Sequence, residues 1–150
     1  MITSFTGYYS FLSNFHHCRI IMEDGIIYPS AEHAYQAMKT QDLVDRAAIS
    51  CLSTPGDAKR YGRRIKPLPK DWDNNRIAIM RHIIYKKFSN SPTLFDALLK
   101  TGGQYLIEGN AWGDQFWGAT QNFAGEWAGE NWLGRILMDV RKDLRDGIGN

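Results

Sequence analysis

The sequence predicts a single, mostly helical α+β domain with one small β-hairpin. Three observations predict it. The 150 residues suit one hydrophobic core. Helix-start signals recur from Ser30 to Ser91, ahead of apolar residues at helical spacing. A strand-like pair, residues 18–22 and 26–28, flanks Asp24-Gly25.

Taken in order, Asp24-Gly25 suits the positive φ angles of a two-residue type I′ turn, and Pro29 closes the hairpin. Ser30 is an N-cap with Glu32 in the first turn, which predicts a helix from 31 to about 40. A second helix is expected from about 42 to 51. Thr54-Pro55-Gly56-Asp57 opens a short third helix ending near Gly62. The basic stretch after it, with Pro67 and Pro69, reads as a loop. Asp71 or Asp73 caps a long helix with Ile77, Met80, Ile84 and Phe88 as its core stripe. Ser91-Pro92 opens another, with Leu94, Leu98 and Leu99 inward, closed by Gly102-Gly103. Residues 104–108 read as a short strand. A Gly- and Trp-rich loop of about twenty residues follows. The last helix, 131–146, buries Leu133, Ile136, Leu137, Val140 and Leu144 and stops at Gly147.

Composition removes several classes. With 43% hydrophobic and 23% charged residues the chain is not intrinsically disordered. No uncharged apolar run approaches the roughly 20 residues of a membrane span, and nothing at Met1 reads as a secretory signal. Cys18 and Cys51 have no ligand spacing and read as small buried hydrophobes of a reducing, cytoplasmic compartment. A net charge of +2 is too small for a nucleic-acid coat protein. Its distribution is uneven, however. Residues 59–70 hold six basic residues and no acid, whereas residues 108–130 hold four acids and no Lys or Arg.

Two features bear on chemistry. Four of the five tryptophans fall within residues 112–132, and an ordered aromatic loop of that kind can form a stacking wall for a flat ligand or a core plug. Glu32, Gln36 and Lys39 share one line of the first helix by their i, i+4, i+7 spacing. A buried acid and amine on such a line can act as an acid/base or covalent pair, while the same spacing equally describes a solvated face. Metal chemistry is not expected: His16-His17-Cys18 are adjacent and diverge, and no HxxxH or HExxH occurs. His33 and His82 read as packed or capping residues. There is no GxGxxG or P-loop, so no familiar nucleotide cradle.

One resemblance spans nearly the whole chain. Phe11-Leu12-Ser13-Asn14-Phe15, Tyr28-Pro29-Ser30-Ala31-Glu32-His33 and Gln36-Ala37-Met38-Lys39 come first. Then follow Ala58-Lys59-Arg60-Tyr61-Gly62-Arg63, Lys70-Asp71-Trp72-Asp73, Met80 with Lys87-Phe88, and Thr101-Gly102. Leu106-Ile107-Glu108, Asp114-Gln115-Phe116-Trp117-Gly118 and the run from Asn131 to Met138 close the series. In this order the motifs resemble the NADAR family of YbiA-like N-glycosidases. The resemblance implies a mainly helical α+β domain that cleaves N-glycosidic bonds of ribose phosphates without metal or cofactor. It also implies one of two substrates: ADP-ribose on guanine bases of DNA or RNA, or early riboflavin-pathway ribosylamino intermediates. The family's motifs fall on Glu32, Lys39, Trp72, Glu108, Asp114, Trp117, Gly118 and Asn131, with Asn14 and Phe15 of the opening motif beside them. The stretch between Gly118 and Asn131 departs from the family pattern, with extra aromatics Phe123 and Trp127.

Breaking a ribose C1′–N bond builds positive charge at C1′ and negative charge on the departing base. Glu32 is therefore expected near C1′, with Asp114 or Glu108 on ribose hydroxyls. Lys39 either neutralises a carboxylate or phosphate, or attacks an opened ribose aldehyde. Trp72 and Trp117 would stack on the base. Arg60, Arg63 and Arg64 would hold phosphates, whose oxygens match guanidinium forks. These expectations require Glu32 and Lys39 to share a cleft with Trp117 and Asp114. Removal of ADP-ribose from guanine is the favoured reading. The rivals are cleavage of the riboflavin intermediates, a non-catalytic module binding ADP-ribose or another NAD-derived nucleotide, and an interaction protein docking through its Trp-rich loop.

Overall fold

Ser30 starts a buried helix, as its position predicts. Its hydroxyl accepts from the His33 backbone N–H at 3.1 Å and lies 2.7 Å from His33 Nδ1. The protein is described by a computed structural model covering residues 1–147, and the architecture is predominantly helical α+β with two small antiparallel sheets. The chain divides into two units: Asn14–Asn90, and Met1–Ser13 together with the chain from Ser91 onward.

In the first of these units, β1 (Ile20–Ile21) pairs antiparallel with β2 (Ile27–Tyr28). The connection is a three-residue loop rather than a type I′ turn. Met22 N donates to Ile26 O, Gly25 N donates to Met22 O, and only Gly25 has positive φ, at 79°. Asp24 instead serves as an acceptor, taking hydrogen bonds from Ile26 N and the Tyr28 hydroxyl, both at 2.8 Å. Arg46 Nη1 pairs with the same carboxylate at 3.2 Å.

Helix α1 (Ala31–Ala37) is followed by α2 (Leu43–Ser50, capped by Asp42), α3 (Pro55–Arg63, capped by Thr54) and α4 (Trp72–Ser89). The capping readings hold at Ser30 and Thr54, whereas Asp71 stands at the start of α4 with a left-handed backbone, φ 60°, and makes no side-chain capping hydrogen bond. The basic stretch is not all loop, because α3 continues through Lys59, Arg60 and Arg63. α1 packs against β2, α2, α3 and α4, and all seven of its residues are buried. A short helix enclosed on all sides has no solvated face. α4 buries Met80, Ile84 and Phe88 as expected, with Ile77 only half-buried. Cys51 is exposed and Cys18 intermediate, so neither is the buried hydrophobe its residue type predicts. His33 is packed, with Nε2 3.0 Å from Leu52 O.

In the other unit a 3₁₀-helix (Gly7–Leu12) packs against α5 (Pro92–Lys100), and α5 packs against α6 (Trp132–Arg145). α6 buries all five residues of its expected stripe. α5 fully buries only Leu98, with Leu94 and Leu99 half-buried. Residues 104–108 form no strand, only a bridge between Ile2 and Leu106. The aromatic loop is not structureless either. It folds back as β3 (Thr120–Gln121) and β4 (Trp127–Ala128), joined by the same kind of turn as β1–β2, with Gly125 at φ 82°.

Candidate active site

The chemistry-bearing residues of the Asn14–Asn90 unit gather around α1. Glu32 is 7% exposed and Gln36 3%, which removes the solvated-face reading of their spacing. Gln36 Nε2 donates to Glu32 Oε1 at 3.2 Å. A Cβ on Gly62 of α3 would collide with the Gln36 carboxamide, so glycine at that position permits the close approach of α3 to α1. Asn14 is buried beside this group and its backbone carbonyl accepts from Glu32 N at 3.1 Å. Asn14 Oδ1 and Gln36 Oε1 have no hydrogen-bond partner among the described residues.

Lys39 does not lie on the helix. α1 ends at Ala37, and Lys39 N donates to Gln36 O at 3.1 Å in the turn beyond. That turn half-buries the side chain and sets Nζ 5.9 Å from the centre of the Tyr35 ring. Burial pushes the Lys39 amine below its ordinary pKa. The Glu32 carboxylate opposes the shift, while Arg63, Lys59 and Arg76 add to it. Burial also pushes the Tyr35 phenol up, so this ring stays neutral beside the amine. Trp72 is buried against Tyr35, ring centres 5.4 Å apart and tilted by 48°. Much of its indole is thus used in packing. Tyr35 and Arg76 were not singled out by the sequence reading. Tyr35 follows Glu32 by three residues and Arg76 follows Trp72 by four, spacings that place each pair on one helix face.

The arginines lie together. Arg60, Arg63, Arg64 and Tyr61, with Leu52 and Asp57, line an open depression of about 500 Å³. Arg60 is ion-paired with Asp57, and Arg64 lies 5.8 Å from the Tyr61 ring centre. Phe15 is exposed.

In the other unit, Asn131 organises the aromatic loop. Its carboxamide accepts from Glu108 N at 2.9 Å and donates to Leu106 O at 2.8 Å, from a left-handed backbone at φ 52°. Asp114 Oδ1 accepts from Phe116 N at 3.1 Å and Trp117 N at 3.0 Å, closing the turn that carries Trp117. Trp117 is half-buried and meets Phe116 edge-to-face at 4.8 Å. A Cβ on Gly118 would strike the Glu108 backbone carbonyl. Glu108, Asp114, Trp117, Gly118 and Asn131 are thus brought together in one hydrogen-bonded loop. Among the described residues no group of three His, Cys, Asp or Glu side chains is arranged to hold a metal. No described helix is long and apolar enough to cross a membrane.

A predominantly helical α+β fold, with a buried carboxylate beside a half-buried amine, defines an enzyme-like class, and comparison with known proteins makes it specific. The NADAR domain family model matches residues 4–145, and the chain belongs to that family. An N-glycosidase from Nostoc punctiforme is 37% identical over 142 residues, 92% of this chain and 87% of that protein. A riboflavin biosynthesis protein from Vibrio vulnificus is 36% identical over 139 residues, which is 92% of this chain but only 36% of that longer protein. The NMR structure of the E. coli protein YbiA superposes with a TM-score of 0.80 at 34% identity, covering 98% of this chain and 86% of that one.

Proposed function

We propose that this NADAR-family protein removes ADP-ribose from ADP-ribosylated guanine in nucleic acid by hydrolysing the ribose C1′–N bond. The enzyme class is a hydrolase of N-glycosyl bonds, the activity named for its relatives. The observation that carries the residue assignment is the burial of Glu32 beside the half-buried, pKa-depressed amine of Lys39. A carboxylate held out of water stabilises positive charge at C1′ better than a solvated one. An amine pushed toward its neutral form is suited to attack the aldehyde of an opened ribose. The arginine-lined depression supplies fork-shaped donors for phosphate oxygens. We assign Asp114 or Glu108 to ribose hydroxyls, Trp72 and Trp117 to stacking on the base, and Asn14, Phe15 and Gly118 to substrate contact. Asn131 is assigned to positioning Glu108, because both polar ends of its carboxamide bind backbone.

A second substrate, a ribosylaminopyrimidine phosphate of early riboflavin synthesis, is favoured by the name of the Vibrio vulnificus relative. One experiment separates them: incubation with an ADP-ribosylated guanine oligonucleotide and, separately, with the pyrimidine phosphate, reading released sugar by mass spectrometry. ADP-ribose released from the first substrate supports the proposal. Release only from the second replaces the substrate. Binding without release from either would make the protein a non-catalytic nucleotide-binding module.

A further inference from the structure

α1 stops at Ala37 although no glycine or proline follows it, and a side chain from α2 accounts for the stop. Arg46 Nε donates to Ala37 O at 3.2 Å and to Thr40 O at 2.8 Å. These carbonyls flank Met38-Lys39, so one N–H clasps both ends of the turn that carries Lys39. A cation at a helix C-terminus also meets the negative end of the helix dipole. The Thr40 hydroxyl accepts from Asp42 N at 3.1 Å, which ties the same turn to the start of α2.

Arg46 is itself held. Its Nη1 pairs with Asp24 Oδ2 at 3.2 Å, and the two side chains are only 11% and 4% exposed. Asp24 is fixed in turn, since Oδ1 accepts from Ile26 N and Oδ2 from the hydroxyl of the buried Tyr28. A guanidinium suits this position because its donors form a rigid fork, which reaches carbonyls and carboxylate at once. The hydrogen-bonded chain runs from the β1–β2 turn, through Asp24 and Arg46, to the backbone on either side of Lys39.

The Lys39 amine makes no hydrogen bond or ion pair of its own among the described residues. Its place near the Tyr35 ring therefore depends on where the turn holds its backbone. We propose that Arg46 is a positioning residue for Lys39: by clasping the Ala37 and Thr40 carbonyls it keeps the amine half-buried beside Tyr35. The inference rests on the reading of Lys39 as the reacting amine, but it is tested on the amine's own chemistry.

The test compares wild type with Arg46→Lys, labelling the full chain with an amine-acylating reagent across a pH series and reading each lysine by peptide mass spectrometry. Lysine keeps the charge opposite Asp24 but is a point donor, unable to serve two carbonyls and a carboxylate together. The charged groups that act on the Lys39 amine are Glu32 from α1, Lys59 and Arg63 from α3 and Arg76 from α4, and all are retained. A released turn lets water reach the amine, so its labelling midpoint should move to higher pH. Lys87, wholly buried in the same unit, should label as in wild type, whereas general loosening would expose both lysines. On a substrate that is turned over, kcat should fall about tenfold or more while KM changes less than about twofold.

An unshifted Lys39 midpoint overturns the proposal, even if kcat falls. A change shared by Lys87 overturns it too, by making Arg46 a residue of stability alone. If Arg46→Lys does not fold, Asp24→Asn carries the same comparison, because it removes the counter-charge that anchors the guanidinium. Absence of turnover on both substrates would defeat the hydrolase reading, and the labelling would still decide whether Arg46 places the amine.

Discussion

The Lys39 ammonium nitrogen lies 5.9 Å from the centre of the Tyr35 ring, on the turn that leaves α1. The contact is a cation–π one with a neutral ring, since burial raises the Tyr35 phenol pKa. It holds a long, flexible side chain near Glu32 without neutralising it. The amine therefore keeps a depressed pKa, which an ion pair of full strength would have cancelled.

Lys39→Ala and Glu32→Gln are each expected to lower turnover by at least about 100-fold. Both should leave the melting temperature nearly intact. Gln at 32 retains a carbonyl acceptor for Gln36, and removing a half-buried amine also removes its desolvation cost. Reduction with cyanoborohydride during turnover should add a sugar mass at residue 39. Lys39→Arg, which cannot shed its proton, should be as inactive as Lys39→Ala. An active Lys39→Arg enzyme with no trapped adduct would make the amine an electrostatic group only. Unfolding of Glu32→Gln would make that residue structural.

Arg63→Ala should raise KM more than it lowers kcat, since guanidinium-to-phosphate contacts bind ground and transition states alike. Arg60→Ala should do less, because Asp57 already holds that guanidinium. Arg63 is also one of the cations that depress the Lys39 pKa. Removing it raises that pKa, so the limb of the pH–rate profile that needs neutral amine moves to higher pH. Steady-state kinetics from pH 6 to 10 read both effects. An unchanged KM would place the phosphate elsewhere.

The helix starts were legible because capping is local: Ser30, Asp42, Thr54 and Ser91 each accept the backbone hydrogen bond their position implies. The α6 stripe was legible because five apolar residues repeat at one period. The end of α1 was not, since Met38-Lys39-Thr40 contains no Gly or Pro to mark a stop. Burial of Glu32 and Gln36 was illegible for a different reason. Three helices and a strand enclose α1, and no local pattern reports neighbours supplied by distant segments. The second hairpin carried a readable sign in Gly125, three residues after Asn122, which the density of tryptophans around it obscured. Trp72 has an exposed residue's role by motif and a buried residue's packing by structure. Only coordinates separate the two.

Asn131 tests whether the aromatic loop is held by one side chain. Asn131→Ala loses both carboxamide bonds and places alanine at φ 52°, so a loss of about 2–4 kcal/mol is expected. Asn131→Gly relieves the backbone strain but not the lost bonds, and should recover about 1 kcal/mol of it. Thermal melts of both variants read the difference. Equal stability of Asn131→Ala and wild type would show that the carboxamide does not hold the loop.

Lys87 lies wholly inside the Asn14–Asn90 unit, its amine 5.0 Å from the Phe88 ring centre. Burial lowers its pKa to about 8, against an ordinary 10.5, with Cys18 opposing the shift. Between those two values the unfolded chain binds more protons at this residue than the folded one, so stability must rise with pH across that window. Below about pH 8 both states are protonated, and the cost of burying the charge is constant at about 3 kcal/mol. Lys87→Met removes the titration. The wild-type melting temperature should therefore climb relative to that of Lys87→Met between pH 8 and 10, by about 2–4 °C for each kcal/mol regained. Subtracting the two curves cancels Lys39, which titrates in both proteins. Calorimetric scans at pH 7, 8, 9 and 10 suffice. Parallel curves would show that Lys87 keeps an ordinary pKa in the folded protein.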